Sequence, residues 1–222
     1  MIIAFFGPDG AGKTTVAKLL AKYYMEKGFK VAYVRLRIHH MAMYVLIKLL
    51  QLLRVIPSTR SPRISHYSMR RLFKQSRFFF ILESLNVLLW LIINVKVRLM
   101  MNHIIVAERY IPDFLISLYM ITSKIDYIEK AMLSRILVAK FVCHDNRVFI
   151  HLTANPMVLH GRKKDEELSL TFIRFSLISY HVITNLMKKM CRSKMKLFVI
   201  DTSRQSPLQT LEDILKYISM VI

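Results

Sequence analysis

A glycine-rich segment near the start of the chain, GPDGAGKT at residues 7–14, has the residue types and spacing needed to bind phosphate. It fits the pattern G-x-x-x-x-G-K-[ST] at every fixed position. Its glycines allow successive backbone N–H groups to face one anion, and a helix that begins there adds the positive end of its dipole. We expect Lys13 to contact the β- and γ-phosphates of ATP and the Thr14 hydroxyl to ligate Mg²⁺. The predicted nucleotide-binding residues are Gly7, Pro8, Asp9, Gly10, Ala11, Gly12, Lys13, Thr14 and Thr15.

A carboxylate at the end of another apolar segment could support the same metal. Residues 104–107 are apolar and lead into Glu108, which is followed by Arg109. In phosphate-loop enzymes an acid at the carboxyl end of a neighbouring strand holds Mg²⁺ or its water shell. We therefore predict that Glu108 supports the metal and that both residues border the substrate, with Arg109 contacting an acceptor phosphate. A Glu–Arg pair that only closes the strand is the alternative.

Further basic residues are placed to act on phosphate groups. Arg162 begins a cationic run, and a mobile cation there would close over the phosphates as part of a short lid at about residues 157–170. The acids at 165–167 leave open an ordinary charged helix face instead. Arg35 and Arg37 end another apolar run, and we predict that they bind the acceptor.

Five short apolar runs, separated by helical patterns, are expected to form the strands that position these side chains. The alternation favours an α/β fold with a doubly wound, five-stranded parallel sheet and helices on both faces. The first helix is expected to end near Gly28, and Ser206 with Gln209 forms a capping box ahead of the last one. The predicted strands are Ile2–Phe6, Val31–Leu36, Ile104–Ala107, Val148–Leu152 and Leu197–Ile200.

The length of 222 residues suits one domain over residues 1–222. A long, basic and mainly helical insertion at about residues 38–102 separates the second and third predicted strands, with a proline-bearing loop at 57–62. We predict that this insertion builds the acceptor site.

The chain is strongly basic, with a formal net charge of +20. This charge predicts an acidic partner: a nucleotide, nucleic acid or an anionic membrane surface. A solvated basic surface that aids solubility is the alternative. The absence of a recognised nucleic-acid motif and of a base-stacking platform argues against nucleic acid. No acid stands between Glu26 and Glu83, where the basic residues are Lys27, Lys30, Arg35, Arg37, Lys48, Arg54, Arg60, Arg63, Arg70, Arg71, Lys74 and Arg77.

Cysteine usage and hydropathy bear on the compartment. Cys143 and Cys191 are too few and too isolated to predict a disulfide framework or a zinc site, and no signal peptide is visible, so we expect a reducing cytoplasm. Residues 78–95 are the most apolar stretch, but Glu83 and Asn86 within it favour a buried helix over a membrane span. A peripheral membrane contact remains an alternative.

Together these residues resemble the thymidylate kinase family of nucleoside monophosphate kinases. The segment FFGPDGAGKTT at 5–15 is similar to the family's F-x-G-x-D-G-x-G-K-T-T, and VAERY at 106–110 to its strand-end D-R-Y, with Glu replacing Asp. The resemblance implies transfer of the ATP γ-phosphoryl group to a nucleoside monophosphate, with dTMP the first acceptor to try. It implies catalytic roles for Lys13, Asp9 and Arg162, Asp9 lying near the acceptor. Family members are commonly homodimers, so a homodimer is expected as well.

The departures from the family fall on the acceptor side. The family usually shows R-E-P-G-G-T after its second strand, whereas this chain has RLRIHH at 35–40. The arginine that reads the thymine base in the family has no counterpart near Asn86, where the spacing would place it. A kinase with a non-nucleotide or membrane-presented acceptor, and an ATP-dependent nucleic-acid-binding protein, therefore remain alternatives.

Overall fold

The computed structural model describes residues 1–36, 52, 77–101, 103–122, 125–163, 169–191 and 195–221. Five parallel strands in these ranges form one sheet, with β2 and β5 at its edges and the order β2-β3-β1-β4-β5. The strands are β1 (Ile2–Phe6), β2 (Val31–Arg35), β3 (Ile104–Glu108), β4 (Arg147–Thr153) and β5 (Lys196–Asp201). The predicted fold class is confirmed. The first and last residues of every strand lie within one residue of the predicted positions.

Helices pack on both faces of this sheet. They are α1 (Lys13–Glu26), α2 (Arg77–Leu91), a π-helical turn (Ile92–Lys96), α3 (Val97–Met100), α4 (Ile111–Thr122), α5 (Ile125–Lys130), α6 (Met132–Phe141), α7 (Pro156–Arg162), α8 (Leu170–Cys191) and α9 (Pro207–Val221). The predicted capping box of α9 is present, because the Gln209 amide donates to the Ser206 hydroxyl and the Ser206 amide donates to the Gln209 side chain.

Two apolar layers hold the helices to the sheet. All five residues of β1 are buried, and alternate ones point to opposite faces. Ile2, Ala4 and Phe6 join a core with α2, α4, α6 and α8, while Ile3 and Phe5 join a second core with α1 and α9. A strand buried on both sides reads as a continuous apolar run, which is why β1 was predictable from its sequence.

The parallel arrangement brings the carboxyl ends of the strands to one edge. In register, Phe5 of β1 lies beside Glu108 of β3, and Arg35 of β2 also lies beside Glu108. The loop from β1 to α1 therefore adjoins the strand-end carboxylate and the strand-end arginine. This edge is where ligands bind in open α/β sheets.

Two features differ from expectation. Cys143 and Cys191 form a disulfide, which their number and spacing in the sequence did not predict; both lie against the core that contains α6 and α8. Among its described side chains, the predicted buried helix at 78–95 has a buried side, with Val87, Leu91 and Val95, and an exposed side. No helix among the described residues is long and apolar enough to cross a membrane.

Several predictions lie outside the described residues. These are Arg37, the loop at 57–62, most of the 38–102 insertion before residue 77, and residues 164–168 of the predicted lid.

Candidate functional site

The loop between β1 and α1 presents backbone N–H groups at the start of a helix. Gly10 and Gly12 adopt left-handed φ values of 89° and 86°, which glycine accepts without strain. A Cβ on Gly7 would lie 2.0 Å from the Leu152 carbonyl oxygen, so only glycine allows the loop to pack against β4. The loop therefore curves tightly and delivers the positive end of the α1 dipole to the cleft.

Lys13 lies at the centre of this loop and is almost fully buried. Its Nζ donates to the carbonyl oxygens of Gly7 and Pro8, both at 2.7 Å, and lies 3.5 Å from the Asp9 carboxylate. Burial lowers the pKa of the Lys13 ammonium, and the negative charges of Asp9 and Asp113 oppose that shift. Lys13 is thus held against the loop by weak carbonyl acceptors, which a phosphate oxygen could replace with a stronger, charged one.

Glu108 faces Thr14 across the cleft. The Thr14 hydroxyl donates to Oε1 of Glu108 at 2.6 Å, and the Tyr33 hydroxyl donates to Oε2. The Arg35 guanidinium lies 3.4 Å from Oε1. Tyr33 and Arg35 reach the same carboxylate because they are two residues apart on β2 and so share a face of the sheet.

These contacts keep a buried carboxylate ionised. Burial would raise the pKa of the Glu108 carboxyl, but hydrogen bonds from Thr14 and Tyr33, together with the charge of Arg35, lower it below its usual value. A hydroxyl and an ionised carboxylate side by side are the hard oxygen donors that suit Mg²⁺. Thr14 and Glu108 would hold the ion, which would neutralise charge on the phosphates and orient them.

Arg109 and Asp9 form an ion pair beside the loop. Nη2 of Arg109 lies 2.5 Å from Oδ1 of Asp9, although the residues are 100 positions apart. Arg109 has a φ of 60°, a left-handed conformation that costs a non-glycine residue of order 1–2 kcal/mol. This backbone turn directs the guanidinium from the end of β3 toward the loop. A strained residue with a charged side chain at the cleft is typical of a functional position.

Three buried polar residues lie behind the ion pair. Tyr180 of α8 donates to Oδ1 of Asp113 at 2.7 Å, and the other carboxylate oxygen of Asp113 has no hydrogen-bond partner among the described residues. Burial raises the pKa of the Asp113 carboxyl, against the positive charges of Lys13 and Arg109. His151 stacks between Phe6 and Tyr180. Burial lowers the pKa of its imidazole to about 4.

Arg162, at the end of α7, links the phosphate loop to Thr202, the residue that directly follows β5. Its guanidinium donates to the carbonyl oxygen of Gly10 at 3.3 Å, and to the hydroxyl and carbonyl oxygens of Thr202 at 3.2 and 2.7 Å. The Thr202 hydroxyl in turn donates to the Ala11 carbonyl at 3.2 Å. A predicted lid cation is therefore in contact with the phosphate loop.

These groups surround one open cleft of about 580 Å³. It brings together most of the predicted site residues: Asp9, Gly10, Ala11, Gly12, Lys13, Thr14, Thr15, Arg35, Glu108, Arg109 and Arg162. Gly7 and Pro8 contribute carbonyl oxygens beneath it. No cluster of three or more His, Cys, Asp or Glu side chains that could hold a metal occurs among the residues described.

Sequence reasoning missed several residues of this site. Tyr33 gave a signal, because the predicted strand 31–36 places it on the same face as Arg35. Thr202 and Gln205 line the cleft from the connection after β5, and neither was predicted to be a site residue. The Asp113–Tyr180 pair joins two residues that are 67 positions apart in the sequence, so only the folded chain reveals it.

Comparison with known proteins assigns this chain to no family. No protein-family model matches this chain, and no curated protein is similar to it in sequence. Among solved structures, one that it resembles is the crystal structure of the YorR protein from Bacillus subtilis in complex with phosphorylated GDP. The two chains share 16% identity over 99% of this chain and 96% of that one, with a TM-score of 0.49. The fold is established by this chain's own strand order, and the site by the contacts among its own residues.

Proposed function

We propose that this protein is a P-loop phosphotransferase that moves the γ-phosphoryl group of ATP to a small acidic acceptor. The observation that carries the proposal is the contact between Thr14 of the phosphate loop and Glu108 at the end of β3, 94 residues away. It supplies two oxygen donors for Mg²⁺ beside the loop lysine. A glycine turn without a catalytic role would not require an ionised, buried carboxylate at this point.

The cleft divides into a donor side and an acceptor side. Phosphate oxygens of ATP would replace the loop carbonyls as partners of Lys13, and Arg162 would approach from α7. An acceptor oxygen attacks the γ-phosphorus as the bond to the β–γ bridging oxygen breaks, and ADP leaves. Charge spreads over the equatorial oxygens during this step, so the two cations stabilise the transition state.

The acceptor is proposed to be a nucleoside monophosphate, with dTMP tried first on the family resemblance. Two arginines, Arg109 and Arg35, line the acceptor side of the cleft. Asp9, beside them, can accept a hydrogen bond from a hydroxyl group of the acceptor. A phosphate-bearing acceptor fits two arginines better than a neutral one does. A homodimer and a cytoplasmic location complete this proposal. In that compartment, where disulfides are rare, we expect the Cys143–Cys191 bond to be reduced.

A coupled ADP-release assay with Mg-ATP tests the activity across nucleoside monophosphates and nucleosides. Lys13→Ala should abolish turnover. Lys18→Ala is the matched control, because Lys18 lies exposed on the same helix. Turnover on dTMP that Lys13→Ala abolishes is the expected result. If no nucleotide or nucleoside is phosphorylated while ATP binds normally, the acceptor assignment is wrong.

The nucleic-acid alternative makes a different prediction. A protein that uses its net charge of +20 to bind DNA or RNA should lose affinity steeply as salt rises. Binding to labelled single- and double-stranded oligonucleotides at 50 and 200 mM salt measures this slope. We expect no tight, salt-dependent binding.

A further inference from the structure

The outer side of the helix that precedes β3 carries an unusually long row of exposed apolar side chains. We call this row the outer face. Its members are 40 to 76% exposed, and they recur every three or four residues along about 30 Å of helix. They are Ile81, Leu85, Leu89, Ile92, Ile93, Val97, Met100 and Met101.

The opposite side of the same helix already has its partner. Val87, Leu91 and Val95 are almost fully buried in the core that also contains α4, α6 and α8, and the helix contacts α6. A surface helix normally turns polar side chains outward, whereas this one is apolar on both sides. Exposed apolar patches of this extent mark binding surfaces for proteins or membranes.

The charges around the outer face favour an anionic partner. Lys96 is exposed within the row, between Ile92 and Met100, and Arg98 follows it. The sequence leading into the helix has no acid from residue 27 to residue 82. A long aliphatic stem lets such a lysine lie along apolar surface while its ammonium reaches phosphate groups. Apolar side chains interspersed with bases are the combination that binds a headgroup and acyl-chain boundary.

From this juxtaposition we infer that the outer face docks on the surface of an anionic lipid bilayer. The core contacts of Val87, Leu91 and Val95 hold the helix to the sheet, so it lies along the membrane and does not cross it. A second copy of the chain is the less favourable occupant of this face, because Lys96 and Arg98 make it basic in both copies, so the homodimer proposed above would form through another surface. The phosphotransferase proposal is not needed for this inference.

The only tryptophan of the chain, Trp90, lies on this helix, partly buried against the core, and its emission reports on changes around the helix. With vesicles of phosphatidylcholine and phosphatidylglycerol at low salt, the protein should sediment with the lipid. Trp90 emission should then shift to shorter wavelength, and acyl-chain-brominated lipid should quench it. With phosphatidylcholine alone, or at 0.5 M salt, association should fall several-fold, because the attraction is partly electrostatic.

The variant Leu89→Glu/Ile93→Glu should lower vesicle partitioning at least about tenfold, since two apolar contacts become charged. Lys96→Glu should lower it several-fold and leaves the apolar residues untouched. The control is Met220→Glu, an equally exposed methionine on α9, across the sheet from the outer face. It should bind vesicles as the wild type does.

Other outcomes would overturn the inference. One is a wild-type protein that stays in the supernatant with anionic vesicles at low salt. Another is equal sedimentation of the wild type and the double variant. If light scattering instead shows a dimer that Leu89→Glu/Ile93→Glu separates, without vesicle binding, the outer face is a self-association surface. None of these assays contains nucleotide, so their failure is distinct from failure of the phosphotransferase proposal.

Discussion

Acid should destabilise this protein through His151, a residue that is only 8% exposed. The ring stacks on Phe6 and Tyr180, and its Nε2 has no hydrogen-bond partner among the described residues. The pKa of the imidazole is lowered to about 4. Burial is the main cause, and the positive charges of Lys13, His181 and Lys188 act in the same direction. The same group has an ordinary pKa of about 6.5 when the chain is unfolded.

The sign and size of the effect follow from this difference in pKa. Between pH 6.5 and pH 4 the unfolded chain binds a proton at His151 that the folded chain does not bind, so stability falls as pH falls. The full shift is worth about 3.4 kcal/mol, and about 2 kcal/mol of it is lost between pH 7.5 and pH 5.

Urea unfolding of the wild type and His151→Phe at these two pH values tests the reasoning. The phenyl ring keeps the stack, removes the unpartnered nitrogen and cannot take up a proton. At pH 7.5 we expect the free energies of unfolding to agree within about 1 kcal/mol. At pH 5 the variant should be the more stable by about 2 kcal/mol. His144→Phe, which removes an exposed imidazole, is the control. Equal acid sensitivity of the wild type and His151→Phe would refute the argument.

Three further predictions concern the site and the disulfide. Tyr33→Phe removes a hydrogen bond to the buried carboxylate of Glu108, worth about 1.5–3 kcal/mol; the Mg²⁺ concentration for half-maximal binding of a fluorescent ATP analogue should rise about 10- to 100-fold. Arg109→Gly and Arg109→Ala both remove the guanidinium, but only glycine relieves the left-handed φ of 60°. The glycine variant should therefore be the more stable by about 1 kcal/mol in urea. Cys143→Ser/Cys191→Ser opens a loop of 48 residues and should lose about 4 kcal/mol of unfolding free energy under oxidising conditions.

Each of these has a result that would contradict it. Tyr33→Phe with wild-type Mg²⁺ dependence would mean that the phenol does not position Glu108; Tyr23→Phe on α1 is its matched control. Equal stability of the two Arg109 variants would mean that the backbone there is not strained. If dithiothreitol leaves the stability of the wild type unchanged, the two cysteines do not form a bond in solution.

The sequence predicted the parts of the molecule that have a local signature. The apolar run of β1 and the glycine pattern at 7–14 each required one conformation, because a strand buried on both faces and a tight anion-binding turn leave little choice. The capping box at Ser206 was equally local. Contacts that depend on strand order were harder to foresee. Tyr33 reaches Glu108 only because β2 lies beside β3.

The two misses have different physical causes. Cys143 and Cys191 meet because α8 returns to the end of α6, a feature that no spacing in the sequence encodes. The helix at 77–100 is apolar on all sides, so its pattern has no period that separates a buried side from an exposed one. Burial was therefore expected for the whole stretch, whereas the fold leaves one side of its described side chains exposed.

The central claim is that the cleft binds a nucleoside triphosphate through its phosphate loop, and equilibrium binding measures this directly. Calorimetric titration with Mg²⁺ and a non-hydrolysable ATP analogue should show one site per chain. Lys13→Ala should weaken binding about 10- to 100-fold, because a charge-assisted contact with phosphate is lost, while Lys18→Ala should bind as the wild type does. Equal affinity in the wild type and a folded Lys13→Ala variant, or no binding by either, would contradict the account.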